Sequence, residues 1–218
     1  MSKYPRQAPI DLMERDRVRG DVEALLLHAC KGSEVRLRGS LAQGVADAYS
    51  DIDLLWVVPD ERFDQCLAML PSILWRVHPV ESLRYDPDLQ RSRKRRLVFV
   101  RFAGLPLFWR LDLEVRATSV AGDESYDLGN PEARGEDWDY VESALANAVA
   151  AIKAELRGRH SEAAHLLANG FQKVGLTPPQ EADLGPALRT LLDHVERTSP
   201  RHTALTRAVR ILAEDRCW

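Results

Sequence analysis

Little in this sequence points to an oxidising compartment, a membrane or a polyanionic partner. Three cysteines, Cys30, Cys66 and Cys217, are scattered over 218 residues, odd in number and without a CxxC pair. That pattern argues against a disulfide frame or a thiolate zinc site and reads them as core thiols of a reducing compartment. No apolar run approaches the ~18 residues that span a bilayer. The opening MSKYPRQAPIDL lacks the basic-then-apolar layout of a signal peptide. A net charge of −3 gives no global pull towards nucleic acid or anionic lipid. The six histidines show no ligand spacing; His160 and His165 stand five apart, not the three or four that share a helix face. Internal repeats and low-complexity tracts are absent. The expectation from these absences is a cytoplasmic protein without a membrane partner.

What is present is ordinary globular material, 45% hydrophobic and 29% charged, in a chain long enough to bury a core. Apolar spacing predicts a helix over 10–31, closed by Gly32, then a strand at 35–38. A short helix from Ser40 to about Asp47 and a central strand over 52–58 follow. Pro59-Asp60 opens a further helix that Pro71 is expected to end, before a strand over 73–80. Residues 97–102 and 107–115, joined by Gly104-Leu105-Pro106, read as a hairpin. Leu111, Leu113 and Val115 face one side of its second strand, and Arg110, Asp112 and Glu114 the other. Residues 119–136 have the texture of a linker, and helical stripes dominate beyond it. The fold class is therefore α+β: a mixed sheet with flanking helices over 1–118, a linker over 119–136, and an all-helical bundle over 137–218.

The stretch Arg38–Val58, RGSLAQGVADAYSDIDLLWVV, organises the rest. Asp51 and Asp53 at i and i+2 on a strand point to the same face. Two carboxylates held together in that way repel unless a cation stands between them. Upstream, a Gly39-Ser40 turn opening a helix offers free backbone N–H groups to phosphate. A phosphate cradle beside a divalent-metal cradle suggests nucleotide chemistry.

Gly39-Ser40, ten intervening residues, Asp51-Ile52-Asp53 in a strand, and Asp112 within a later strand together resemble the nucleotidyltransferase superfamily. This is the superfamily of DNA polymerase beta and of the small aminoglycoside and lincosamide nucleotidyltransferases. The resemblance implies that Asp51, Asp53 and Asp112 hold two Mg2+ ions, that Gly39 and Ser40 hold the triphosphate of an NTP such as ATP, and that a nucleoside monophosphate passes to an acceptor hydroxyl with release of pyrophosphate. It also implies a small-molecule acceptor of the aminoglycoside type, hence a role in antibiotic resistance. The small members recruit a carboxylate from their helical half as general base. Asp137, Asp139 and Glu142 open the first tail helix here, and Glu142 is the candidate.

Several readings stay open. Glu114 lies on the face of Asp112 and could be the third carboxylate instead. Arg110 could bind a triphosphate oxygen or form a structural ion pair. Arg38 reads as a surface residue. Arg91-Ser92-Arg93-Lys94-Arg95-Arg96 reads first as a solvated loop and second as a phosphate contact; it lacks aromatic interleaving, so nucleic acid is not the expected partner. Rival functions are a transferase acting on protein or RNA, and a non-catalytic nucleotide-binding module of the same fold. A homodimer that completes the site is a further open reading.

Overall fold

The computed structural model describes residues 10–179 and 183–216. Of the three cysteines, Cys30 and Cys66 are fully buried, and Cys217 lies outside the described residues. The chain divides into two compact units, one comprising 10–105 and 109–138, the other 106–108 and the residues from Asp139 onward.

The first unit begins with α1 (Leu12–Ala29), β1 (Glu34–Leu37), the single-turn α2 (Gly39–Ala42) and β2 (Ile52–Val58). It continues with α3 (Phe63–Val77), β3 (Val80–Tyr85), β4 (Arg95–Phe102) and β5 (Leu111–Ala117). Among the described residues these strands form one five-stranded sheet in the order β1-β2-β5-β4-β3. β2 pairs with β5 in parallel, and the remaining pairs are antiparallel. Period-2 alternation decides which side chains go inward. Leu54, Trp56 and Val58 of β2, Leu111, Leu113 and Val115 of β5, and Val98, Val100 and Phe102 of β4 are buried in one core. Val18, Val22 and Leu26 of α1 and Phe63, Cys66, Leu70, Ile73 and Leu74 of α3 complete it. Burial of the Cys66 thiol, beside Cys30, pushes its pKa up to about 12, so it behaves as a small apolar group.

α3, β3 and β5 depart from expectation. Pro71 does not end α3, because losing one N–H costs less than abandoning the buried stripe that Ile73 and Leu74 extend. The following strand therefore starts at Val80 and takes in residues expected to be loop. The second hairpin strand begins at Leu111 rather than Leu107, where its pairing with β2 starts. Residues 119–136, expected as a linker, carry short 3-10 turns at Thr118–Val120 and Pro131–Ala133.

The second unit packs α4 (Tyr140–Leu156), α5 (His160–Lys173), α6 (Leu184–Thr198) and α7 (Thr203–Arg216). Gly170 in α5 is a close-approach glycine: a Cβ there would stand 3.2 Å from Ala144 O of α4. Asp139 caps α4 by accepting the Glu142 N–H at 2.9 Å. Its other oxygen meets His202 Nε2 at 2.9 Å and accepts from Arg201 Nη2 at 3.0 Å. Burial alone would raise the Asp139 carboxyl, but these donors hold it below the usual range.

Candidate active site

The side of the sheet opposite the apolar core carries the candidate site residues. Asp53 of β2 and Asp112 of β5 are register partners across the parallel pair. Their Cβ atoms therefore leave neighbouring strands on the same face. Asp51 stands two residues before Asp53, just ahead of the strand. All three are half-buried.

A pinned loop positions Asp51. Asp47 Oδ1 accepts from Tyr49 N–H and from Ser50 Oγ, each at 2.9 Å, forming a tight Asx turn. Arg15 of α1, buried at 4% exposure, donates to Asp47 O at 2.6 Å. Trp109 Nε1 donates to Ala48 O at 3.1 Å. Sequence reasoning missed both anchors. An arginine inside an otherwise apolar helical stripe was the available signal for Arg15.

The glycine turn abuts the carboxylates. Arg38 N–H donates to Asp53 O at 2.9 Å. Gly39 has φ +54, and a Cβ on it would overlap Asp53 Oδ2. Glycine is therefore required twice, for its left-handed backbone and for the space taken by the carboxylate. Ser40 is not the N-cap it was expected to be. The helix opens one residue earlier, with Arg38 at the cap position and no capping side chain, and ends at Ala42 rather than near Asp47.

Arg110 lies among the acids. Its backbone N–H donates to Asp51 Oδ1 at 3.2 Å. Its guanidinium takes both oxygens of Asp112, Nε to Oδ1 at 2.5 Å and Nη2 to Oδ2 at 2.6 Å. Burial would lower the Arg110 pKa, yet Asp112 foremost, then Asp51 and Asp53, raise it above its ordinary value. On its other side the guanidinium carbon lies 4.8 Å over the Phe99 ring. Phe99 meets Trp138 edge-on at 6.0 Å, and Arg84 caps Trp138 at 4.8 Å.

Glu114, the alternative third carboxylate, is engaged elsewhere. It is 4% exposed and accepts from Arg95 Nε at 2.7 Å, from Arg116 Nε at 2.6 Å, and from Arg38 Nη1. Arg95 also reaches the carbonyls of Glu124 and Tyr126, and Arg116 that of Ala121. Burial first, then Arg116 and Arg38, lower the pKa of Arg95. This clasp fastens the segment after β5 to the sheet. It also uses up part of the basic run. Arg95 is buried, Lys94 pairs with Asp60 at 3.1 Å, and Arg96 lies 5.9 Å over Phe63, leaving Arg91 and Arg93 exposed.

Hard oxygen donors in this number suit a divalent ion that keeps water and phosphate oxygens among its ligands. They already enclose a positive charge, that of Arg110. As they stand, among the described residues, no group of three His, Cys, Asp or Glu side chains is arranged to hold a metal ion. The donor chemistry fits a metal, and Arg110 occupies Asp112. Glu142, proposed from sequence as base, lies in the first turn of α4 in the helical unit. No helix among the described residues is long and apolar enough to cross a membrane.

No curated protein matches the chain. Among the solved structures that resemble it are two chains of low identity. A chain of the GLD-2/RNP-8 complex is 18% identical, with 87% of this chain and 75% of that chain covered at TM-score 0.39. A chain of the non-canonical poly(A) polymerase complex GLD-2–GLD-3 is 17% identical, with 86% and 71% covered at TM-score 0.37. The family model for the nucleotidyltransferase domain matches residues 15–103, from α1 through β4. Residues 15–103 therefore match a nucleotidyltransferase domain, with Gly39, Ser40, Asp51 and Asp53 inside the matched span and Asp112 on the strand that pairs with it.

Proposed function

We propose that the protein moves a nucleoside monophosphate from an NTP, ATP by our reading, to a hydroxyl of a small-molecule acceptor of the aminoglycoside type, with Mg2+ and with release of pyrophosphate. One observation carries the reading: Asp53 and Asp112, far apart in sequence, are register partners on one sheet face, and Gly39 is pressed against the carboxylate of Asp53. An acid-lined floor abutting a glycine turn is what in-line nucleotidyl transfer needs, because attacking and leaving oxygens must both be held about one phosphorus.

Asp51, Asp53 and Asp112 would hold the metal ions, which when bound neutralise charge on the attacking and leaving oxygens. Gly39 lets the backbone approach the triphosphate, and the half-exposed Ser40 hydroxyl would donate to its β/γ end. Arg110 would add a cation for phosphate oxygens. The acceptor hydroxyl forms the new bond to the α-phosphorus, the bond to the bridging oxygen breaks, and pyrophosphate carries away that electron pair. Glu142 is proposed to take the hydroxyl proton. Support for a cationic acceptor comes from the exposed acids Asp123, Glu124, Glu132, Glu136 and Asp137 in the segment after β5. Only Arg91 and Arg93 of the basic run stay exposed, which weighs against a nucleic-acid acceptor.

The test incubates the full chain with Mg2+ and labelled NTPs against separate pools of aminoglycosides, lincosamides, RNA and protein. Pyrophosphate release that depends on the aminoglycoside pool is expected. Release dependent on RNA or protein would reassign the acceptor, and nucleotide binding without release from any pool would favour a non-catalytic module.

A further inference from the structure

The bidentate pair between Arg110 and Asp112 has a consequence for how such a site fills. Both oxygens of Asp112 are taken by one guanidinium two residues away on the same chain segment. A guanidinium keeps its charge at any working pH, so protonation does not loosen the pair. A divalent ion coordinated by Asp112 needs those same oxygens.

We propose that Arg110 is a built-in counter-cation that closes Asp112 to metal until the triphosphate of an incoming nucleotide draws the guanidinium away. This rests on the metal-dependent reading above and makes Arg110 a positioning residue for it. Three facts support it. Asp112 gives both oxygens to the Arg110 guanidinium, Asp51 accepts the Arg110 backbone N–H, and Asp53 is the register partner of Asp112, so the guanidinium offsets charge that these carboxylates would otherwise set against one another. The pair is not sealed: the Arg110 side chain is 31% exposed and that of Asp112 19%, so a phosphate can reach it. The Phe99 ring under the guanidinium gives it a fixed support once it leaves the carboxylate. A triphosphate offers Arg110 a bidentate partner of greater charge, and the metal that accompanies the nucleotide then inherits Asp112. Metal and nucleotide therefore bind as coupled ligands, each tightening the other.

The test measures Mn2+ affinity of the full chain by electron paramagnetic resonance, with and without an ATP analogue bridged by methylene between the α and β phosphorus. Wild type is compared with Arg110→Gln, Asp53→Asn, and the double variant Arg110→Gln/Asp112→Asn. Arg110→Gln is expected to bind Mn2+ about tenfold more tightly than wild type without nucleotide, the scale of one charge-assisted pair. The double variant should lose that gain, and the analogue should tighten Mn2+ binding strongly in wild type and little in Arg110→Gln. Thermal midpoints give a second readout: Arg110→Gln should melt lower than wild type in EDTA and recover with Mn2+, which a purely structural arginine would not do. Equal Mn2+ affinity in wild type and Arg110→Gln, with Asp53→Asn weakening both, overturns the counter-cation while leaving the metal reading in place. A gain that survives removal of Asp112 overturns it too. Mn2+ binding by none of the variants, even with the analogue, overturns both.

Discussion

Gly39 and Asp53 are in van der Waals contact: the glycine has no side chain because the carboxylate of Asp53 fills the space one would need. Two independent demands thus fall on one position. The backbone is left-handed, at φ +54, and a methyl group would push the carboxylate aside.

Gly39→Ala should therefore harm chemistry more than stability. The backbone penalty is about 1–2 kcal/mol, visible as a small drop in urea midpoint. Nucleotide transfer should fall at least about a hundredfold, since a displacement of about 1 Å at a reacting centre has that scale. Full activity in the variant would show that the Asp53 carboxylate is not where the reaction occurs.

Asp53→Asn keeps the shape and removes the charge. Mg2+-dependent transfer should be lost while the far-UV circular dichroism spectrum and melting curve stay close to wild type. Retained pyrophosphate release would remove Asp53 from the site.

Glu114→Gln tests the clasp. The glutamate answers three arginines, two of them buried, and its loss leaves those charges uncompensated. Removing one partner of a buried pair costs about 3–5 kcal/mol, to be read from urea unfolding. If Glu114 were instead a metal ligand at a stable position, stability would hold and Mn2+ affinity would fall.

Asp60 gives a pH signature. It accepts from Ser119 Oγ at 2.5 Å and Ser119 N at 2.9 Å, and pairs with Lys94 at 3.1 Å. Chiefly through the Ser119 hydroxyl, its pKa falls from 3.8 to about 2. A depressed carboxylate contributes stability that is fully present above its unfolded pKa and lost as pH falls through the folded one. The stability difference between wild type and Asp60→Asn should be constant above pH 4 and shrink between pH 4 and 2 in urea titrations. A difference that grows on acidification would invert the assignment.

Much of the αβ unit is legible in the sequence because its signals are local. β2 reads correctly over 52–58, since a continuous apolar run bounded by Asp51-x-Asp53 and Pro59 leaves little choice. The polar face of β5 reads correctly for the same reason, by alternation. What fails is long-range. Pro71 reads as a helix end because the burial of Ile73 and Leu74 beneath the sheet is not visible locally. The basic run reads as a solvated loop because its compensation comes from other segments, Glu114 on β5, Asp60 beyond β2 and Phe63 on α3. Arg38 reads as a surface residue for the same reason, its acceptor Glu114 lying 76 positions away. At the site itself, Arg110 pairs with both oxygens of Asp112 and gives its backbone N–H to Asp51, a linkage between the candidate carboxylates that only geometry supplies.

The parallel pairing of β2 with β5 has one more consequence, for the growing chain. Asp51 and Asp53 are made early, but Asp112 cannot stand beside them until β5 has been synthesised and paired with β2, between β2 and β4 in the finished sheet. Such non-local pairing is slow, because loop closure precedes its reward. A nascent chain that stops before about residue 117 therefore holds the glycine turn and two carboxylates without β5 in place, and on the proposed function such an unfinished polypeptide would have no means of spending nucleotide.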